Sequence, residues 1–233
     1  MLYIIGNGTS RNGIDLDHIG RWWGCNGVYR DYTPELLFAV DIPIQSEIIK
    51  SGYYKDHKVV VGEWEPIDRE HLASLKEGFP VSNIIIREED DNFVIQGDDD
   101  RIDFLGFNSK YTNNLIPYSY PNLKNLFCGM GALGYAMETG EEEVCLIGFD
   151  ALENGKPDNI YEGTNHYLPK YTLESRVIDA QQSQFIALLE NYKTSRINFG
   201  NPIDGFKEIE YTRLYYYESS NRWILGEGLE FEI

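Results

Sequence analysis

Four short stretches carry the residue types that could do chemistry. Gly6-Asn7-Gly8-Thr9-Ser10 follows the apolar run Leu2–Ile5. Glycines after a strand let backbone N–H groups come close to a phosphate or ribose, and the Thr9 and Ser10 hydroxyls add donors. The loop is neither a full GxGxxG nor a P-loop, since no lysine follows at the required place, and read alone it is equally a tight turn. Asp41 follows a second run, Leu36–Val40. A carboxylate there faces the edge where open α/β sheets bind ligands, so it can hold ribose hydroxyls or a divalent metal, or cap a helix. Between these two lies Gly24-Cys25-Asn26-Gly27-Val28-Tyr29, where Asn26 reads a base edge or phosphate, or steadies its own turn. The fourth stretch is Val144–Gly148, which delivers Phe149 and Asp150 and is followed by Tyr161, His166, Tyr167, Lys170 and Tyr171. Tyr, His and Lys between a strand end and a helix stand where an acid or base is needed, although a loop histidine is also an ordinary surface residue.

These positions need elements to aim them. Leu2–Ile5, Leu36–Val40, Lys58–Val61, Asn83–Ile86 and Val144–Ile147 have the length and β-branched character of strands buried on both faces. Helical or loop segments separate them, which predicts an α/β, Rossmann-like fold: a mostly parallel sheet with helices on both faces. Residues 130–140 read as a helix whose Gly131, Ala132, Gly134 and Ala136 let it lie close to the sheet. Residues 173–192 read as a second helix, with Ile178, Phe185, Leu189 and Tyr192 on one stripe and Thr172 able to cap it. Residues 87–121 read as an insertion or lid, a solvated hairpin around Asn92–Gln96 and then an irregular segment. Its acidic runs, Glu88 to Asp91 and Asp98 to Asp100, fit a solvated face better than a metal site, because neighbouring carboxylates do not converge unless a fold aims them. Residues 201–233 form an aromatic, strand-like tail that adds antiparallel strands or covers a sheet edge. The whole chain, 1–233, reads as a single domain.

Composition limits the partners. Apolar residues at 42% supply a real core, and the 38 Asp and Glu against 20 Lys and Arg give a net charge of −18. Such a field repels polyphosphates, so nucleic acid is disfavoured, surviving only as an acceptor approached through a local basic strip of Lys170, Arg176 and Arg213. Cys25, Cys128 and Cys145 are odd in number and form no CxxC, as expected of buried thiols in a reducing compartment. The N-terminal apolar run is too short for a signal-peptide core or a membrane span, which points to a bacterial or phage-infected cytoplasm. His18, His57 and His71 lack chemical company, and no spacing suggests a zinc site.

Taken in order, strand-GNGTS, Cys25-Asn26-x-x-Tyr29, a small-residue helix and Leu146-Ile147-Gly148-Phe149-Asp150 resemble the bacterial sialyltransferases that use CMP-sialic acid. The resemblance extends to Asn165-His166-Tyr167 and to a long helix ending in Leu188-Leu189-Glu190-Asn191-Tyr192. It covers roughly residues 1–45 and 125–192. The related 6-hydroxymethylpterin pyrophosphokinase-like superfamily shares the glycine loop and an Asp after an early strand. By the resemblance Asn7 and Asn26 contact the nucleotide, and Gly129 lies at a loop that accepts phosphate. Asp41 stands where the sialyltransferases have an Asn, a departure that leans toward a metal, Mg²⁺ being the natural candidate. Their general base is a His four positions beyond His166, where this chain has Lys170, and their phosphate-supporting tyrosines map loosely onto Leu152 or Tyr161.

The leading expectation is therefore a glycosyltransferase that binds a nucleotide-sugar through Gly6, Asn7, Gly8, Thr9, Ser10, Asn26, Asp41, Gly129 and Asp150. His166 serves as base, and Tyr161 and Lys170 support the leaving phosphate. The acceptor is a glycan hydroxyl or, in a virus, a hydroxylated DNA base. The alternatives are a Mg²⁺-dependent pyrophosphokinase or nucleotidyl transferase with the metal on Asp41 and Asp150, and a non-catalytic protein that sequesters a nucleotide signal. The aromatic tail suits a homo-oligomer interface as well as the cover of a monomer.

Overall fold

Leu2-Tyr3-Ile4-Ile5 forms the first strand, β1, because its residues can be buried alternately on the two faces of one sheet. In the computed structural model Leu2 and Ile4 join one apolar cluster and Ile5 the other. The same alternation recurs in β2 (Trp22–Cys25), β3 (Leu36–Ala39), β4 (Val59–Gly62) and, later in the chain, in the strand Glu143–Ile147. The structure describes residues 1–62, 65–66, 84–89, 92–97, 105–107, 114–118, 126–153, 159–167, 175–191, 196–202, 209–217, 222–225 and 230–231.

Helix α1 (Ile42–Ser51) connects β3 to β4. The chain then forms β5 (Glu65–Pro66), β6 (Ile84–Glu89), β7 (Asn92–Gly97) and β8 (Leu105–Phe107) before β9 (Leu115–Tyr118). After α2 (Cys128–Glu138) come β10 (Glu143–Ile147), the short α3 (Asp150–Glu153) and α4 (Ser175–Asn191). β11 (Arg196–Pro202), β12 (Ile209–Tyr217), β13 (Arg222–Leu225) and β14 (Glu230–Phe231) complete it. The main sheet runs β14-β13-β12-β11-β10-β1-β2-β3-β4-β9. Every pairing from β11 across to β9 is parallel, and β12 to β14 extend it antiparallel.

This is the expected α/β, Rossmann-like arrangement. Ile44, Ile48 and Ile49 of α1, with Ile14, Leu16 and Ile19 of the loop after β1, cover one face. Met130, Leu133 and Ala136 of α2 and Phe185, Leu188 and Leu189 of α4 cover the other. Each of the larger side chains (Ile, Leu, Met, Phe) contributes about 1.5–3 kcal/mol on burial. The small residues of α2 are buried as expected, including Gly131, Ala132 and Gly134. No helix among the described residues is long and apolar enough to cross a membrane.

Two expectations require correction. The Asn83–Ile86 run belongs to β6, which pairs antiparallel with β7 in a separate sheet ordered β5-β8-β7-β6. Local pattern does not say which sheet a strand joins. Residues 115–118, expected to be irregular, form β9 at the edge of the main sheet, paired in parallel with β4. β2 also went unforeseen: Trp22-Trp23-Gly24-Cys25 is no β-branched run, yet it is held between β1 and β3 with both indoles buried.

Candidate functional site

From β1 the chain moves outward through β2, β3, β4 and β9, and α2 then brings it back to β10 on the opposite side of β1. The order reverses between β1 and β10, and open α/β sheets bind ligands outside the strands' carboxyl ends at such a point. Gly6 to Ser10 leave β1 there, Gly148 to Asp150 leave β10, Asn26 follows β2, and Asp41 lies just beyond β3.

The two loops at the switch point are sewn together. Gly6 N–H donates to the Ile147 carbonyl (2.8 Å) and Gly8 N–H to the Gly148 carbonyl (2.9 Å). A Cβ on Gly6 would stand 2.4 Å from the Gly148 oxygen, and one on Gly8 would stand 2.4 Å from Asp150 Oδ2. These positions are glycine because the loops approach each other so closely. The Gly6 and Gly8 amides are thus engaged inside the chain rather than free for a ligand.

Asp150 explains much of this seam. It is 3% exposed, opens α3, and accepts from Ser10 N–H (3.1 Å) and, at long range, from Thr9 Oγ1 (3.4 Å). It therefore grips the turn Thr9–Arg11 as a cap would. Gly129 has a similar reason: a Cβ there would lie 2.4 Å from Phe149 Cε1, so the glycine admits that ring beside the first turn of α2. Phe127 N–H, ahead of that turn, donates to Gln184 Oε1 (3.0 Å).

Residues 159–167 fold onto the same loops. Ile160 N–H donates to the Asn7 carbonyl (2.9 Å). The Tyr167 hydroxyl accepts from Asn7 Nδ2 (3.2 Å) and from Gly27 N–H (3.1 Å). Arg11, 4% exposed and unremarked in the sequence, donates through Nη2 to the Tyr161 hydroxyl (2.9 Å), which donates to Asp31 Oδ2 (2.7 Å). Arg30 completes the platform, its guanidinium 5.5 Å over each of the Tyr161 and Tyr167 rings. Burial above all pushes the Tyr161 phenol up to about 12 and the Tyr167 phenol higher still, so both keep their protons at neutral pH.

His166 joins this platform from its outer side. Arg30 makes a two-point contact with Glu47 (2.7 and 2.6 Å) and also reaches Thr164 Oγ1 and the Asn165 carbonyl (both 2.9 Å). His166 Nε2 lies 3.5 Å from Glu47 Oε2. Desolvation pushes the Glu47 carboxyl upward, but hydrogen bonds from Arg30 and Tyr29 outweigh it and hold the group below the usual carboxylate range. Among the described residues the only non-glycine backbones with positive φ are Asn26 (48°) and His166 (66°), both singled out from sequence. Sparsely populated conformations of this kind concentrate at functional sites.

Asp41 occupies the N-cap position of α1, yet its side chain makes no capping hydrogen bond. Its Oδ2 instead accepts from Asn26 Nδ2 (2.7 Å). Asp41 is an exposed residue, although protein atoms surround its carboxylate. Desolvation there raises its pKa, and the bond from Asn26 offsets only part of the rise. Beneath it the Cys128 thiol donates to the Phe38 carbonyl (3.0 Å) and is pushed well up by burial and the adjoining Cys25. All three cysteines are free and buried, as the sequence suggested.

The structure thus brings Gly6, Asn7, Gly8, Thr9, Ser10, Asn26, Asp150, Tyr161 and His166 into one connected edge, with Asp41 tied to Asn26. Lys170 and Thr172 lie outside the described residues, as do the side chains of the acidic runs and of the aromatic tail. Arg11, Arg30, Asp31 and Glu47 escaped sequence reasoning because nothing local shows that such charges will meet across distant loops. Among the described residues no three His, Cys, Asp or Glu side chains gather as a metal site, and Asp41 and Asp150 bind separate partners. Asn7 Oδ1, Ser10 Oγ, Arg11 Nε, Asn26 Oδ1 and Asp150 Oδ1 are buried without a protein partner, and all five belong to strand-end loops of this edge. Buried polar groups are otherwise nearly always satisfied. Compared with known proteins, the chain matches no family model, no curated protein and no solved structure.

Proposed function

We propose that this chain is a glycosyltransferase that binds a nucleotide-sugar at the β1–β10 switch point and passes the sugar to a hydroxyl acceptor. One observation carries the reading: although Trp23 Nε1 and Tyr53 Oη are unpartnered elsewhere, five such buried polar atoms gather at the edge where this fold class binds nucleotides. Most of them are acceptors, suited to the hydroxyls and amino groups of a nucleoside or sugar. For the phosphates the donors on hand are Arg11 Nε and the first-turn amides of α2, a helix N-terminus that opens at the same edge. Arg11 forms no ion pair among the described residues, so its charge favours an anionic ligand.

The reaction needs a proton acceptor for the attacking hydroxyl and donors for the departing phosphate. Tyr161 and Tyr167, protonated at neutral pH, keep the platform polar without adding negative charge beside the donor. The Mg²⁺-dependent alternative draws less support, because no three carboxylate, His or Cys side chains gather as a metal site among the described residues, and Asp41 and Asp150 bind separate partners.

The test is to incubate the protein with CMP-sialic acid, UDP-glucose and GDP-mannose, with Mg²⁺ or with EDTA, and to follow nucleotide release by chromatography. Calorimetry with CMP, UMP and GMP accompanies it. Release from one donor in EDTA is the expected result. Absence of both binding and release refutes the reading. ATP turnover that requires Mg²⁺ indicates the pyrophosphokinase chemistry, and tight binding without turnover indicates a sequestering protein.

A further inference from the structure

We infer that Asp41, oriented by Asn26, accepts the proton of the attacking hydroxyl, in place of His166; this inference rests on the transferase reading above.

An Asp at a helix N-cap ordinarily accepts a hydrogen bond from the amide two or three residues on, which stabilises the helix by about 1 kcal/mol. Asp41 has the extended backbone of such a cap, φ −80° and ψ 123°, but makes no such bond. Its carboxylate turns instead to Asn26 Nδ2, across the crevice from the end of β3 to the end of β2. Asn26 is held in the left-handed region, and its Oδ1 is buried without a partner. One amide therefore orients the carboxylate through its NH₂ and offers its carbonyl oxygen to a second group nearby. A hydroxyl seated between Asn26 Oδ1 and Asp41 would find an acceptor for orientation and another for its proton.

The surroundings suit a base. The groups near Asp41 are Asn26, the Tyr167 phenol and the Cys128 thiol at the start of α2. None of these is a cation, and no Lys or Arg pairs with Asp41 among the described residues. Its carboxyl consequently stays above the ordinary carboxylate value, and so holds a proton better than a fully solvated carboxylate does. His166 lies instead against Glu47 and Arg30, an ion pair that already holds the 164–166 segment in place. In the step itself the hydroxyl oxygen bonds to the anomeric carbon as the carbon–oxygen bond to phosphate breaks. The electron pair leaves with the phosphate oxygen, and the hydroxyl proton passes to Asp41.

The experiment compares wild type with Asp41→Asn and Asp41→Ala, using whichever of CMP-sialic acid, UDP-glucose and GDP-mannose is turned over. Circular dichroism checks that the variants fold, and calorimetry gives the affinity for the matching nucleotide monophosphate. The expected result is a kcat lowered by about 100-fold or more in Asp41→Asn, with nucleotide affinity nearly unchanged. The acidic limb of the wild-type pH–kcat profile should vanish in that variant, and added formate should restore part of the activity of Asp41→Ala. Near-wild-type kcat in folded Asp41→Asn overturns the inference, as does loss of turnover in His166→Ala while Asp41→Asn stays active. Loss of nucleotide affinity with unchanged kcat reassigns Asp41 to donor binding and equally overturns it. A wild-type chain inert toward all three donors overturns the transferase reading and this inference together.

Discussion

Replacing Gly8 with alanine separates two explanations of the glycine loop. If the glycine serves only a ligand's approach, the variant loses ligand affinity and keeps its stability. The structure implies otherwise, because the new Cβ would meet Asp150 Oδ2 at 2.4 Å, Asp150 Cγ at 2.6 Å and the Gly148 oxygen at 2.7 Å. Ordinary contact begins near 3.4 Å, so the Gly148 backbone must withdraw by about 0.7 Å and the Asp150 carboxylate by about 1.0 Å. That movement stretches the bond from Gly8 N–H to the Gly148 carbonyl and the bond from Ser10 N–H to Asp150. Weakening one neutral and one charged hydrogen bond costs about 2–4 kcal/mol. For a chain of this size the melting temperature should then fall by roughly 5–15 °C. Gly13→Ala is the control: φ there is +84°, but nothing lies within 4 Å of the added Cβ. Its cost is confined to the backbone term, about 1–2 kcal/mol. Differential scanning calorimetry at pH 7 reads both. A Gly8→Ala melting temperature equal to or above that of Gly13→Ala would refute the contact argument.

Two further perturbations test the platform beside the loop. Arg30→Ala should cost about 1–3 kcal/mol at pH 7 in urea denaturation, since it breaks the two-point contact with Glu47 and uncovers Tyr161 and Tyr167. Glu47 titrates lower in the folded chain than in the unfolded one, so this stabilisation is complete above the ordinary carboxylate pKa and is lost as pH falls through the folded value. The gap between wild type and variant should therefore narrow toward about pH 3, and an equal gap at both pH values would count against the ion pair. Tyr161→Phe keeps the ring but removes the hydroxyl joining Arg11 to Asp31, leaving a buried guanidinium short of an acceptor. A loss of about 1–3 kcal/mol is expected, and unchanged stability would show that the link contributes nothing.

The residue pattern by itself determined the layered α/β plan. β1, β3, β4 and β10 were legible because a strand buried on both faces must be apolar throughout. α2 was legible because small residues let a helix approach a sheet, and α4 because its apolar residues fall on one stripe. The same reasoning drew attention to the loops where Asn7, Asn26, Asp41 and His166 stand, since carboxyl ends of strands follow directly from strand boundaries. Tertiary structure decided the rest. The run Ile84-Ile85-Ile86 is as apolar as the main strands, and only the antiparallel partner β7 places it in the second sheet. Gly8 looked like a ligand-facing glycine until Asp150, 142 positions away, came to rest against it. Whether Asp41 caps α1 or faces Asn26 depends on a side-chain rotation that no spacing records. Periodicity reports which face of an element is buried. Which groups meet across a crevice depends on strand order and on hydrogen bonds between residues distant in sequence, and those appear only once the sheet is assembled.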